Sequence, residues 1–260
     1  MDRLARFNKA RWEELSGAGI SYGKPWLDLN EKRALDRVDS EHVLGDIKGR
    51  EVLCLAAGGG QQSAAFALLG ARVTVVDFSE QQLEKDTKTA AYYGLKINAI
   101  QGDMRDLSFL PRRAFDIVWQ AHSLNFVPNA TDVFRQVSLV VRKKSYYRLH
   151  FANPFVFGLW LEEWNGRGYS LHRSYTDGPF RRRDPHWYFD AGKGNRKKVT
   201  APKEFVHSLS TIINGLNASS FRIRGLWEDN SGNFRAKPGS WEHFKAIAPP
   251  WLTVLCEYAP

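Results

Sequence analysis

Cysteine and methionine are scarce in this chain, with two of each among 260 residues. Cys54 and Cys256 cannot form a disulfide framework, and neither stands in the spacing of a zinc site. Each falls in a run that reads as a buried strand, so both are expected to be core packing, and no metal site is expected. Long apolar runs are missing as well: no stretch of about 18 apolar residues, the length that spans a bilayer, occurs anywhere. The opening MDRLARFNKARW lacks the apolar segment of a secretion signal. These absences lead to the expectation of a cytoplasmic protein with no membrane span. No internal repeat or low-complexity tract is visible. The 43% hydrophobic content is enough to bury a large core, which fits one α/β domain with insertions.

The richest stretch is 52–79, VLCLAAGGGQQSAAFALLGARVTVVDFS. An apolar strand, Val52 to Leu55, feeds Gly58-Gly59-Gly60; a helix follows from about Gln62 to Leu69, and a β-branched run, Val73 to Val76, ends at Asp77. Such a βαβ unit suits a nucleoside. The glycines let backbone approach a ligand, the helix start offers free N–H groups, and a carboxylate after the second strand can accept from both ribose hydroxyls. A dinucleotide fingerprint needs G-x-G-x-x-G/A, and Ser63 stands at its third position, a near miss. A short third strand, Ile97 to Ile100, precedes Asp103-Met104, a pair that suits adenine: the carboxylate can accept from the exocyclic amine while the thioether packs on the ring. RRAFDIVWQAHSLNFVPN (112–129) reads as a fourth strand opening into a loop.

Over residues 45–155 the chain resembles the class I S-adenosylmethionine-dependent methyltransferases. The family's first motif lies over Cys54-Leu55-Ala56-Ala57-Gly58-Gly59-Gly60, its ribose acid over Asp77, and its adenine-side acid over Asp103. The form LCLAAGGGQQ is similar to a branch of small bacterial-type members. The resemblance implies S-adenosyl-L-methionine as cofactor, held by Ala57, Gly58 and Gly60 of the turn, Asp77 and Phe78, Asp103 and Met104, and His122 after the fourth strand. Two positions depart from the motif. Cys54 replaces its acid, leaving the binding of the methionine amino group unassigned, and Ala56 replaces its first glycine, predicting a slightly different turn.

The expected fold is a Rossmann-like, seven-stranded, mostly parallel sheet flanked by helices, with an antiparallel last strand, an N-terminal helical segment and a β-hairpin insertion. Residues 1–44 are expected as a helical lid, 45–155 as the cofactor-binding core, 156–200 as an inserted cap, and 201–260 as the helix and strands that complete the core. Helical spacing of Leu4, Phe7, Trp12 and Leu15 marks residues 3–17, and a second helix is expected from about Leu29 to Leu44. Between them, ISYGKPW (20–26) reads either as a lid that brings Tyr22 and Trp26 over the cofactor or as a plain docking segment. Further elements are a helix at 131–141, a turn at Arg142-Lys143-Lys144 and a fifth strand at 145–155. The insertion's hairpin is expected to pair Tyr169–Tyr175 with His186–Asp190, followed by a helix at 202–216 and strands at 221–229 and 251–259.

The net charge of +9 is uneven: residues 1–135 carry 18 residues of each sign, whereas 136–260 carry 19 basic and 10 acidic. Basic clusters at Arg142–Lys144, Arg181–Arg183 and Lys193–Lys198, interleaved with Trp187, Tyr188 and Phe189, suit an RNA partner, although solvated loops are the favoured reading. Candidates near a transferring methyl group are His122 and Asn125 after the fourth strand, and His150 and Asn153 in or after the fifth; the two histidines are the candidate general bases. Each has a bland alternative as a loop cap or a satisfied strand residue. No N-P-P-Y signature follows the fourth strand, so an exocyclic-amine acceptor of that kind is not expected. Three classes stay open: a small-molecule methyltransferase, which is favoured; an RNA or protein methyltransferase; and a non-catalytic nucleotide-binding protein.

Overall fold

The computed structural model describes residues 1–159, 164–190, 196–229 and 231–260. Asp2 starts helix α1 (Arg3–Gly17) by accepting from the Ala5 N–H at 2.8 Å, and Asn30 caps α2 (Glu31–Val38) in the same way. The core then alternates strand and helix: β1 (Glu51–Leu55), α3 (Gln62–Leu68), β2 (Arg72–Asp77), α4 (Glu80–Tyr92), β3 (Asn98–Gln101), β4 (Phe115–Gln120), α5 (Ala130–Val140) and β5 (Val141–Ala152). The remainder comprises β6 (Gly178–Phe180), β7 (His186–Asp190), β8 (Arg196–Thr200), β9 (Glu204–Val206), α6 (Leu209–Ala218), β10 (Phe221–Glu228), α7 (Trp241–Ile247) and β11 (Trp251–Tyr258).

Seven strands form one sheet in the order β10-β11-β5-β4-β1-β2-β3. β3, β2, β1, β4 and β5 run parallel, and β11 lies antiparallel to both β5 and β10. The expected Rossmann-like architecture is therefore present. After β3 the chain returns to the other side of β1, so the strand order reverses between β1 and β4, where open α/β sheets bind their ligands.

Strand alternation divides the core between the two sheet faces. Tyr147, Leu149 and Phe151 of β5 pack with Phe134, Ile212 and Phe221 on one face. On the other, Val52, Cys54 and Trp119 pack with Ala64, Ala65 and Phe66 of α3 and with α2. Both cysteines are buried and unpaired, as their strands led one to expect. Burial pushes the Cys256 thiol up to about 12 and, together with the Asp86 carboxylate, raises Cys54 well above its ordinary value.

Several local expectations are corrected. His186–Asp190 pairs with Arg196–Thr200, not with Tyr169–Tyr175, whose backbone forms, among the described residues, an isolated bridge from Tyr169 to Trp164. Lys197 and Lys198 lie on β8, while Lys193 falls outside the described residues. The segment expected as a helix from 202 begins with strand β9, which pairs with β6, and the helix starts only after Ser208 caps Thr211. Edge pairing overrides the local amphipathic pattern there. The Arg142–Lys144 turn is absent: β5 starts directly after α5, and Lys144 takes a φ of 63° beside a break in the β4–β5 register. The second helix is shorter than expected, because Asp39 accepts from the Val43 and Leu44 N–H groups and turns the chain into a loop.

Candidate active site

The glycine-rich turn follows β1. Ala56, at the position of the motif's first glycine, adopts φ 46°, the left-handed conformation that a glycine would take freely. The turn is thus kept and the alanine accommodates it, at a cost of about 1 kcal/mol. Gly58 has no room for a side chain, since a Cβ there would lie 2.7 Å from the Gln82 Cβ and 3.0 Å from an Asp77 carboxylate oxygen.

With Cys54 at the motif's acidic position, a different carboxylate braces the turn. Asp86, buried on α4, accepts from the Gly59 N–H at 2.8 Å and from the Ser63 hydroxyl. Burial raises its carboxyl to about 7, and Asp77 nearby is raised to about 6 for the same reason. The sign follows from proton linkage. The folded protein holds these protons more tightly than an unfolded chain with ordinary values near 4, so the stability they contribute is full below about pH 4 and is lost as pH rises through about 6–7. Asp86→Asn cannot ionise, so between about pH 5 and 8 it is expected to lose less stability than the wild type. Thermal melts across that range test this, and parallel slopes for the two proteins would refute it.

Asp77 ends β2 with its carboxylate against the turn. Oδ2 accepts from the Gly58 N–H at 3.0 Å and Oδ1 from the Ser79 N–H at 2.9 Å. Arg105 grips the Asp103 carboxylate at 2.6–3.0 Å and also reaches Asp2 at 2.9 Å, tying α1 to the loop after β3. The Met104 sulfur lies 3.5 Å from the Gln120 amide nitrogen.

The Tyr22–Trp26 segment lies across the glycine turn. Trp26 N–H donates to the Gly60 carbonyl at 3.0 Å, Lys85 Nζ to the Gly23 carbonyl at 2.9 Å, and Gln61 Nε2 to the Lys24 carbonyl at 2.8 Å. The Arg37 guanidinium sits over the Trp26 ring at 4.8 Å. Tyr22 leans edge-on toward Trp187 of β7, with ring centres 6.2 Å apart.

Together these elements wall a cavity of about 1060 Å³ that spans the ends of β1, β2 and β4 and continues over β5. Ala57, Gly58, Asp77, Phe78, Asp103, Met104, Tyr22, Trp26, His122 and His150 all line it. Gly60 does not. It packs against α4, where a Cβ would meet the Thr89 hydroxyl, so it shapes the turn from behind.

At the far end the His122 and His150 rings lie 6.0 Å apart, both against Trp251 at 4.6 and 6.1 Å. Burial lowers His122 to about 3 and His150 to about 4, the latter helped by the Arg148 charge. Both rings are therefore neutral near pH 7. His150 Nδ1 lies 3.0 Å from the Thr253 hydroxyl, whereas His122 Nδ1 has no hydrogen-bond partner among the described residues. Asn125 and Asn153 point elsewhere: the first donates to Glu204 at 3.2 Å, the second to the Pro249 carbonyl at 2.9 Å.

Sequence reasoning missed Asp86, Arg105, Arg148 and the Glu204–Arg182 pair. Glu204 is buried, accepts from Arg182 at 2.6 Å, and lines the same cavity as Phe180 and Trp187. No linear signal marks them. A carboxylate on a charged helix, or an arginine among basic neighbours, reads the same whether it faces water or a cavity.

A methyltransferase domain model matches residues 52–144. The chain is 36% identical over 251 residues to the uncharacterized methyltransferase YbaJ of Bacillus subtilis, covering 89% of this chain and 93% of that protein. It is 30% identical over 145 residues to a ubiquinone biosynthesis O-methyltransferase of Shewanella pealeana, covering 55% of this chain and only 58% of that protein. An S-adenosylmethionine dependent methyltransferase structure from Mesorhizobium loti superposes with a TM-score of 0.61 at 17% identity, over 88% of this chain and all of that one, a likeness of fold. The near-full-length relative, the matched domain and the sheet order agree: the chain belongs to the class I S-adenosylmethionine-dependent methyltransferases.

Proposed function

We propose that this chain transfers a methyl group from S-adenosylmethionine to a small molecule enclosed beside it. The observation that carries this reading is the single cavity running from Asp77 and Gly58 to His122 and His150. At about 1060 Å³ it lies just beyond the range of about 300–1,000 Å³ typical of a site for one drug-sized ligand, which supports room for an acceptor beside the cofactor. In this reading Ala57, Gly58, Asp77 and Phe78 hold the ribose and its neighbours, Asp103 and Met104 border the adenine, and Tyr22 and Trp26 close the N-terminal side. Gly60 contributes by shaping the turn. Phe157, Phe180 and Trp187, from the described part of the insertion, cap the acceptor.

The cofactor supplies an activated methyl group on a cationic sulfur. The chain's task is to align an acceptor within about 3 Å and to keep water away. His122 and His150, neutral and aromatic-packed, can accept a hydrogen bond from an acceptor hydroxyl and orient it. Their low basicity argues for positioning over proton removal from a weakly acidic group. Part of the basic half is directed inward: Arg182 meets Glu204, and Arg148 is buried. That placement favours an enclosed acceptor over an RNA surface. No helix among the described residues is long and apolar enough to cross a membrane.

Calorimetry with S-adenosylhomocysteine, NAD and ATP tests the cofactor assignment. Binding of S-adenosylhomocysteine, tighter than either of the others, is expected. Heat for NAD with none for S-adenosylhomocysteine would overturn it.

A further inference from the structure

Arg148 occupies an unusual position for an arginine. It stands on β5 two residues before His150, on the sheet face of Trp119, and is only 8% exposed. It lines the cavity together with His122, His150 and Trp251. Its guanidinium carbon lies 5.0 Å from the centre of the Trp119 ring, within cation–π range. Its ion-pair partner among the described residues is Glu41 at 3.8 Å, beyond hydrogen-bond reach, and Glu41 Oε2 is itself buried with no hydrogen-bond partner. Asp39, the other nearby acid, uses its carboxylate on the Val43 and Leu44 N–H groups. A buried cation is normally paired and hydrogen-bonded, because an unpaired one loses its hydration without replacement. Here the pairing is loose, and the open side is the cavity.

We infer that Arg148 is the anion-binding residue of the acceptor half of the cavity, and that the acceptor carries a carboxylate-like oxygen pair which the guanidinium fork receives. This rests on the methyltransferase reading above and narrows its substrate class to small aromatic or apolar anions. The surroundings support the choice. Trp251 and the two neutral imidazoles offer rings for an apolar body, and neither imidazole carries a charge that would compete for the carboxylate. Burial, only partly offset by Glu41 and Asp39, draws the Arg148 pKa down, so a bound anion would relieve an existing penalty. A guanidinium fork whose side chain is held by burial against Trp119 can offer two parallel N–H···O bonds to a carboxylate.

The same chemistry could come from the methionine carboxylate of the cofactor, and the experiment separates the two sources. Calorimetry is run on wild type, Arg148→Lys and Arg148→Gln, first with S-adenosylhomocysteine, then, at saturating S-adenosylhomocysteine, with benzoate and 2-naphthoate and with their neutral amides. Wild type is expected to bind at least one of the carboxylates at least about tenfold more tightly than its amide, the size of a charge-assisted pair. Arg148→Gln should abolish that preference, Arg148→Lys should restore part of it, and S-adenosylhomocysteine affinity should stay within about twofold in both variants. Equal binding of acids and amides by wild type, no binding of either carboxylate, or a preference that survives in Arg148→Gln would each overturn the inference. So would loss of S-adenosylhomocysteine affinity in Arg148→Gln with the carboxylate preference intact, which assigns Arg148 to the cofactor. Should Arg148→Gln fail to fold, the acid-to-amide ratio in wild type and its value in Arg148→Lys decide the matter. Failure of wild type to bind S-adenosylhomocysteine at all would instead strike the cofactor reading itself.

Discussion

Asp77→Ala is expected to weaken S-adenosylhomocysteine binding by at least about tenfold, equivalent to about 1.4 kcal/mol. The reason is a carboxylate at the end of β2, facing the cavity, with acceptor capacity beyond the two backbone bonds it makes to Gly58 and Ser79. Two ribose hydroxyls donating to it would form charge-assisted bonds of roughly 1.5–3 kcal/mol each before non-additivity. The alanine also releases the Gly58 N–H, so part of the loss comes through the shape of the turn. Asp77→Asn separates the contributions: it keeps an oxygen acceptor but removes the charge, and its affinity is expected to fall between wild type and alanine. Titration calorimetry gives the affinities, with circular dichroism to establish that each variant is folded. A folded Asp77→Ala protein with unchanged affinity would take Asp77 out of the binding site.

Gly60→Ala is expected to act on stability, because Gly60 faces helix α4 and not the cavity. A Cβ there would stand 2.2 Å from the Thr89 Oγ1, 2.8 Å from the Lys85 carbonyl oxygen and 3.0 Å from the Thr89 Cβ. The threonine hydroxyl cannot swing aside freely, since it is buried and donates to that same carbonyl at 2.8 Å. The residue's φ of 72° adds the penalty of a left-handed alanine. Overpacking and backbone strain together amount to about 2–4 kcal/mol. For a chain of this size that is a fall in Tm of about 5–15 °C. Combining Gly60→Ala with Thr89→Ala should recover part of the steric loss and none of the backbone strain. A melting temperature within about 1 °C of wild type for Gly60→Ala would mean that the turn moves away from α4 at little cost.

The two substitutions separate roles that the sequence presents as one motif. Read linearly, Gly58 and Gly60 are both cofactor glycines; in the folded chain one borders the cavity and the other fits the helix behind it. Cys54 in place of the motif's acid raises the question of what steadies the turn, and the answer, Asp86, lies on α4, beyond α3 and β2 and 27 residues after the Gly59 N–H that it accepts from.

The sequence by itself determined the parallel core. Apolar β-branched runs, a glycine turn between strand and helix, and an acid after the second strand are local patterns with a fixed period, and hydrogen bonding within each element enforces them wherever they occur. The strands β1 to β4, β5 from Ser145 to Ala152, and the antiparallel pair β10 and β11 were legible for that reason. Only the tertiary structure decided the strand partners of the insertion and the start of α6. Short segments such as Glu204–Val206 have no periodicity of their own and take the conformation of the edge they pair with. The electrostatics of the site were likewise invisible in the chain. Asp86, Arg148 and Glu204 become distinctive only through burial and through partners tens of residues distant or more, and an ionisable side chain's role depends on what replaces its water.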